Sequence, residues 1–95
     1  MPAFVIANVE VTDPVRYEEY KKLAAPTVAL YDGHYIARGG AAEVLEGTWI
    51  PKRVVVLEFP SMARAREWFN STEYAPARRI RHETAKSELI LADGV

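Results

Sequence analysis

The chain has 95 residues, a formal net charge of −1 at pH 7, 49% hydrophobic and 26% charged residues, and no cysteine. That describes one folded domain with a core of limited area, without a global electrostatic pull toward nucleic acid or anionic membrane. Disulfides, thiolate metal sites and thiol catalysis are excluded with the cysteine.

Ala3 to Val11 alternates in the manner of a strand, with Val5, Ala7, Val9 and Val11 on one face and Phe4, Ile6, Asn8 and Glu10 on the other. The opening MPAFVIANVEV is thus strand-like rather than signal-like, and no apolar run reaches membrane-spanning length, so a soluble cytoplasmic protein is expected. Asp13-Pro14 marks a helix start, with Asp13 as cap and Pro14 at the first helical position. Tyr17, Tyr20, Ala24, Val28 and Tyr31 then recur at three- and four-residue steps and form one apolar stripe, with Glu18 and Lys22 as a solvent-side pair. Pro26 predicts a kink or a second short helix, and Asp32-Gly33 ends the segment with glycine free to take a left-handed conformation.

His34 to Arg38 reads as a second strand, Gly39-Gly40 as a bend or bulge, Ala42 to Glu46 as extended, and Gly47 to Pro51 as a turn carrying Trp49. Lys52 to Phe59 is a third strand, apolar on both faces through Val54-Val55-Val56-Leu57. Ser61 caps a helix whose buried stripe is Ala65, Trp68 and Phe69; Asn70-Ser71-Thr72 breaks it. A further helical segment to about Lys86 puts Ala77, Ile80 and Thr84 on one side, and Glu88 to Ala92 is the last strand.

The order β-α-β-β-α-β over residues 1–95 predicts a single α+β, ferredoxin-like domain with an antiparallel sheet and helices on one sheet face. Phe4, Ile6, Asn8, Val54, Val56 and Glu58 would then share the other face. Leaving several such apolar side chains in water forfeits several kcal/mol at about 25 cal/mol per Å2. A second copy of the same sheet is the expected cover, which makes the chain a homodimer.

The stretch RGGAAEVLEGTWIPKRVVVLEFPS, the following WFNSTEY and the closing ELILADGV resemble the domain-of-unknown-function 1330 family across essentially the whole chain. The resemblance implies a ferredoxin-like protomer that pairs into a dimeric α/β barrel. The superfamily it implies contains cofactor-independent monooxygenases, lactone isomerases and haem-binding enzymes, so the fold is named more sharply than the activity. One departure is Pro76, which falls where helix continuation is expected and leaves the start of the last helix open.

Asn8, Arg38 and Glu58 are polar groups on or beside apolar strands. As a pocket, Arg38 would bind an anionic or enolate oxygen, Glu58 would move a proton, and Asn8 would orient the substrate. As structure, the same three would form a buried network fixing register or dimer. Tyr35 and Trp49 would wall the pocket, Trp49 alternatively anchoring the dimer interface, while Trp68 belongs to a core stripe. His34 and His82 lack zinc-ligand spacing, and His34 has no supporting haem motif, so no metal or organic cofactor is expected. Arg78, Arg79 and Arg81 with His82 read as a short solvated patch paired to Glu73 or Glu83, too narrow for nucleic acid. Two readings of function remain: a dimer that binds a small polar or aromatic-derived molecule in a cavity beside the sheet, or a cofactor-independent, monooxygenase- or isomerase-like enzyme with Glu58 as acid/base and Arg38 as oxyanion partner.

Overall fold

In the computed structural model, which describes residues 1–95, the alternating N-terminal segment forms β1 (Ala3–Val11). It is followed by α1 (Pro14–Leu30), β2 (His34–Arg38), β3 (Arg53–Phe59), α2 (Met62–Phe69), α3 (Ala75–Thr84) and β4 (Ala85–Asp93). The strands make one antiparallel sheet in the order β2-β3-β1-β4, so the chain has the ferredoxin-like β-α-β-β-α-β architecture.

Alternation assigns the two sheet faces. Ala3, Val5, Ala7 and Val9 of β1 are buried, as are Leu57 and Phe59 of β3, and these point at the helices. Phe59, Trp68, Tyr74 and Val28 are the large side chains at the centre of that layer. Trp68 stacks on Tyr74 with ring centroids 4.2 Å apart and on Phe59 at 5.3 Å. Its indole Nε1 donates to the Thr27 hydroxyl at 3.0 Å, which in turn donates to the Ala24 carbonyl at 2.6 Å. The buried indole is therefore satisfied by the helix it packs against.

Local signals account for the element ends. The Asp13 carboxylate accepts from the Arg16 N–H at 3.2 Å and the Ser61 hydroxyl from the Arg64 N–H at 3.1 Å, one capping bond each for the starts of α1 and α2. Pro76 lies in the first turn of α3, where its missing N–H costs nothing. The question it raised is settled in favour of a helix that begins beside it.

Several expectations need correction. No second helix begins at Pro26; α1 runs through it, and the Lys22 carbonyl forgoes its usual donor. At the end of α1 the positive φ (65°) belongs to Asp32, not Gly33. Gly33 is needed for space instead, since a Cβ there would stand 2.5 Å from the Phe59 ring. Glu18 pairs with Lys21 at 2.9 Å rather than with Lys22. Residues 39–52 form a loop without ladder pairing, so Ala42 to Glu46 does not continue β2, and β4 starts three residues earlier than expected, at Ala85.

Candidate functional site

The bulge in β2 decides which side chains meet. His34 pairs with Glu58 and Tyr35 with Leu57, but the register then slips, so that Ala37 pairs with Val56 and Arg38 with Val55. Ile36 is the extra residue. Because side chains alternate, one inserted residue carries everything after it to the other face. Arg38 thus turns toward the helices, on the side of Val55, and not toward Asn8 and Glu58.

Asn8 and Glu58 lie on the helix-free face. Glu58 is paired across β1 with Phe4 and across β2 with His34, whose Nε2 stands 4.0 Å from the Glu58 carboxylate. Asn8 holds the loop: its Nδ2 donates to the Ile50 carbonyl at 3.2 Å and its Oδ1 accepts from the Lys52 N–H at 2.8 Å. Trp49 is 59% exposed and borders a shallow crevice with Ile6, Asn8, Glu88 and Ile90 on this same face. Of the five expected site residues, the structure brings Arg38 and Tyr35 together on one side, and Asn8, Trp49 and Glu58 apart from them on the other.

Between the sheet and the helices lies a cavity of about 30 Å3, lined by Tyr17, Tyr20 and Lys21 of α1, Tyr35 and Arg38 of β2, Arg53 of β3, Tyr74, and Arg81 of α3 over an apolar floor. That volume holds one or two waters. Six of these polar residues were not singled out as site residues from the sequence: Tyr17, Tyr20, Lys21, Arg53, Tyr74 and Arg81. Arg81 corrects the expectation of a solvated basic patch. It is 4% exposed, donates to the Ser87 hydroxyl at 2.7 Å and approaches the Tyr74 hydroxyl at 3.4 Å. Arg78 covers the Phe69 ring and bonds the Phe69 carbonyl, while Glu83 pairs with Arg16 and Glu73 accepts from Tyr31, so neither acid serves the arginines of α3.

The Tyr20 and Tyr74 hydroxyls are 2.9 Å apart, which makes a chain Arg81–Tyr74–Tyr20 along the cavity wall. Arg38 lies over the Tyr35 ring at 4.2 Å and Arg53 over Tyr17 at 5.8 Å. Burial pushes the Tyr17, Tyr20 and Tyr35 phenols up from their ordinary value. Arg53 and Arg81 oppose that push at Tyr17, and Arg38 opposes it at Tyr35. No aspartate or glutamate lines the cavity, and none of the ion pairs involves Arg38, Arg53 or Arg81. The side chains at hand can bind an anion or polarise an oxygen. No cluster of three or more His, Cys, Asp or Glu side chains is arranged to hold a metal ion.

Gly39 belongs to the same construction. Its φ is +76°, and a Cβ there would run into the Arg53 guanidinium. The glycine after Arg38 therefore both turns the chain and leaves the berth in which Arg53 lies.

Residues 2–95 match a family described as a domain of unknown function (DUF1330). The chain belongs to the DUF1330 family. No curated protein matches the sequence. Among solved structures, the DUF1330 chain is similar to RPA0582, a protein of unknown function from Rhodopseudomonas palustris, at 20% identity and a TM-score of 0.79, covering 99% of this chain and 82% of that one. It is similar to SnoaB, a cofactor-independent oxygenase from Streptomyces nogalater, at 13% identity and a TM-score of 0.69, covering 99% and 93%. It is also similar to a dimeric protein of unknown function and ferredoxin-like fold from Bacteroides fragilis, at 15% identity and a TM-score of 0.66, covering 98% and 96%. At these identities the likeness establishes the fold that the DUF1330 chain shares with them. No helix is long and apolar enough to cross a membrane.

Proposed function

We propose that this DUF1330 chain is a cytoplasmic homodimer that binds a small aromatic-derived or polar molecule in the cavity between the sheet and the helices of each protomer. The observation that carries this reading is the cavity lining: tyrosines and guanidiniums gathered, without a carboxylate, where a domain of this size would otherwise place apolar core. Burying cations works against stability, and well-packed hydrophobic residues would serve a purely structural role better. An apolar floor with a few convergent polar groups is the usual form of a small-molecule site. In this reading Arg38 and Tyr35 bind ligand at the mouth. Asn8, Trp49 and Glu58 belong to the interface between protomers.

The homodimer is supported by the helix-free sheet face. There Ile6 of β1 is flanked in register by Val56 and Ile90, and Phe4 by Ala92. Ile90 is 62% exposed, and the loop adds Leu45, Trp49 and Ile50, all exposed. A face of that character needs cover, and the similar ferredoxin-like structure from Bacteroides fragilis is described as dimeric.

A second reading, a cofactor-independent enzyme of monooxygenase or isomerase type, draws support from the description of SnoaB and from the Arg81–Tyr74–Tyr20 chain. Its acid–base groups would then be tyrosine hydroxyls rather than Glu58, which lies on the opposite side of the sheet, with Arg38 keeping the oxyanion role. A thermal-shift screen of small aromatic and polar metabolites tests the binding reading. It predicts ligands that raise the Tm of the wild type and no longer do so for Tyr35→Ala or Arg38→Ala. Ligands whose effect survives both changes and disappears in Trp49→Ala would move the site to the other face and overturn the reading.

A further inference from the structure

Two arginines in the cavity have more charge than partners. Arg81 is 4% exposed, yet the hydrogen bonds it makes are to the neutral hydroxyls of Ser87 and Tyr74. The Nε of Arg53 is sealed from solvent and has no hydrogen-bond partner at all. A native protein pairs such donors or places them for something that arrives later. Both guanidiniums line the same cavity, together with Tyr17.

Resting on the cavity reading above, we infer that the ligand is a planar monoanion, a carboxylate or an enolate conjugated to a ring, whose charged oxygens lie between Arg53 and Arg81 and whose ring lies among the tyrosines. A guanidinium presents two parallel N–H donors to such a group, and in a water-poor site these bonds are about twice as strong as neutral ones. The anion supplies the acceptor that Arg53 Nε lacks and the charge that Arg81 lacks. The tyrosine rings offer flat apolar walls to the remainder. At about 30 Å3 the cavity admits the charged head alone. Room for the ring comes from Arg38, which is exposed and rests on Tyr35 without an ion-pair partner, so it swings out at little cost. Neutral isosteres offer a single acceptor and no charge and bind more weakly, and cationic ones are repelled by every charged group in the cavity.

The test uses the full chain and three probes of one shape: salicylate, its neutral amide salicylamide, and the cation benzamidine. Binding is followed by the side-chain Nε–H resonances of Arg53 and Arg81 and by the tyrosine ring resonances. Salicylate is expected to shift both arginine signals, to bind at least about tenfold more tightly than salicylamide, and to weaken as salt is raised. Benzamidine is expected not to bind. Arg53→Gln should abolish the preference for salicylate, and Arg79→Gln, an exposed charge on α3, should leave it unchanged. Arg81→Lys, which keeps the charge but loses the fork, should reduce it; this variant is chosen because Arg81→Gln strands neighbouring hydroxyls. Salicylamide that shifts the tyrosine signals as strongly as salicylate would overturn the anion assignment and leave the cavity in place. Probes of all three charges that leave tyrosines and arginines unmoved would overturn both.

Discussion

Gly39 and Arg53 show how one residue sets the position of another. The glycine has a left-handed backbone, and the Arg53 guanidinium occupies the place of its absent Cβ. Gly39→Ala is therefore expected to cost about 1–2 kcal/mol for the backbone alone, a loss of several degrees in Tm, and to displace Arg53 so that ligand binding falls further than stability. Thermal melts with parallel binding titrations check this; an alanine variant with unchanged melting and binding would contradict it. Arg81 shows what was legible at this scale and what was not. In the string RRIRH it reads as surface charge, but Ala77, Arg81 and Thr84 follow steps of four and three and are all buried. The spacing pointed inward while the residue type pointed outward, and spacing prevailed because the α1–α3 contact encloses that stripe. Arg53 carries a similar signal, since it alternates in phase with Val55, Leu57 and Phe59 on the helix side of β3.

At the scale of elements, alternation and capping made β1, β2, the starts of α1 and α2 and the order of elements along the chain readable, while Pro76 left the start of α3 open. The β2 bulge was not readable. Gly39-Gly40 advertises irregularity, but the slip lies at Ile36, a residue with no turn preference, and only pairing with β3 reveals it. That single residue separates Arg38 from Glu58 and so changes which residues make up the candidate site. Pro26 is the other element-level surprise: an exposed proline within a continuous helix. Pro26→Ala restores a donor to the Lys22 carbonyl and relieves the steric clash, worth up to about 3 kcal/mol. Chemical denaturation should show the variant to be more stable with an unchanged m value. A destabilised variant would mean that the proline fixes the course of α1 toward Thr27 and Trp68.

The buried tyrosines link the cavity to the stability of the whole molecule. Their phenols are raised in the folded state by burial, whereas in the unfolded chain they titrate near 10.0. Above that pH the unfolded chain has lost protons that the folded chain keeps, so unfolding gains and stability falls as pH rises. Below it these groups contribute their full stabilisation. Melting temperatures between pH 8 and pH 11 should hold level and then drop. Absorbance at 295 nm should show the buried phenols ionising only together with unfolding; a reversible ionisation of all five tyrosines near pH 10 in intact protein would contradict this.

Dimerisation also belongs at the scale of the whole molecule. Ile90→Glu puts a charge on the helix-free face, on the edge strand β4, at a position 62% exposed in the protomer. It should convert dimer to folded monomer in sedimentation, with an unchanged far-UV spectrum. A wild type that sediments as monomer at every concentration would remove the assignment of Asn8, Trp49 and Glu58 to an interface. The cavity reading is tested most directly by mapping where aromatic fragments bind on the assigned NMR spectrum. It predicts saturable shifts at Tyr17, Tyr20, Tyr35 and Tyr74, with Phe4, His34 and Trp49 unmoved. Shifts confined to Phe4, His34 and Trp49, with the tyrosines silent, would contradict it.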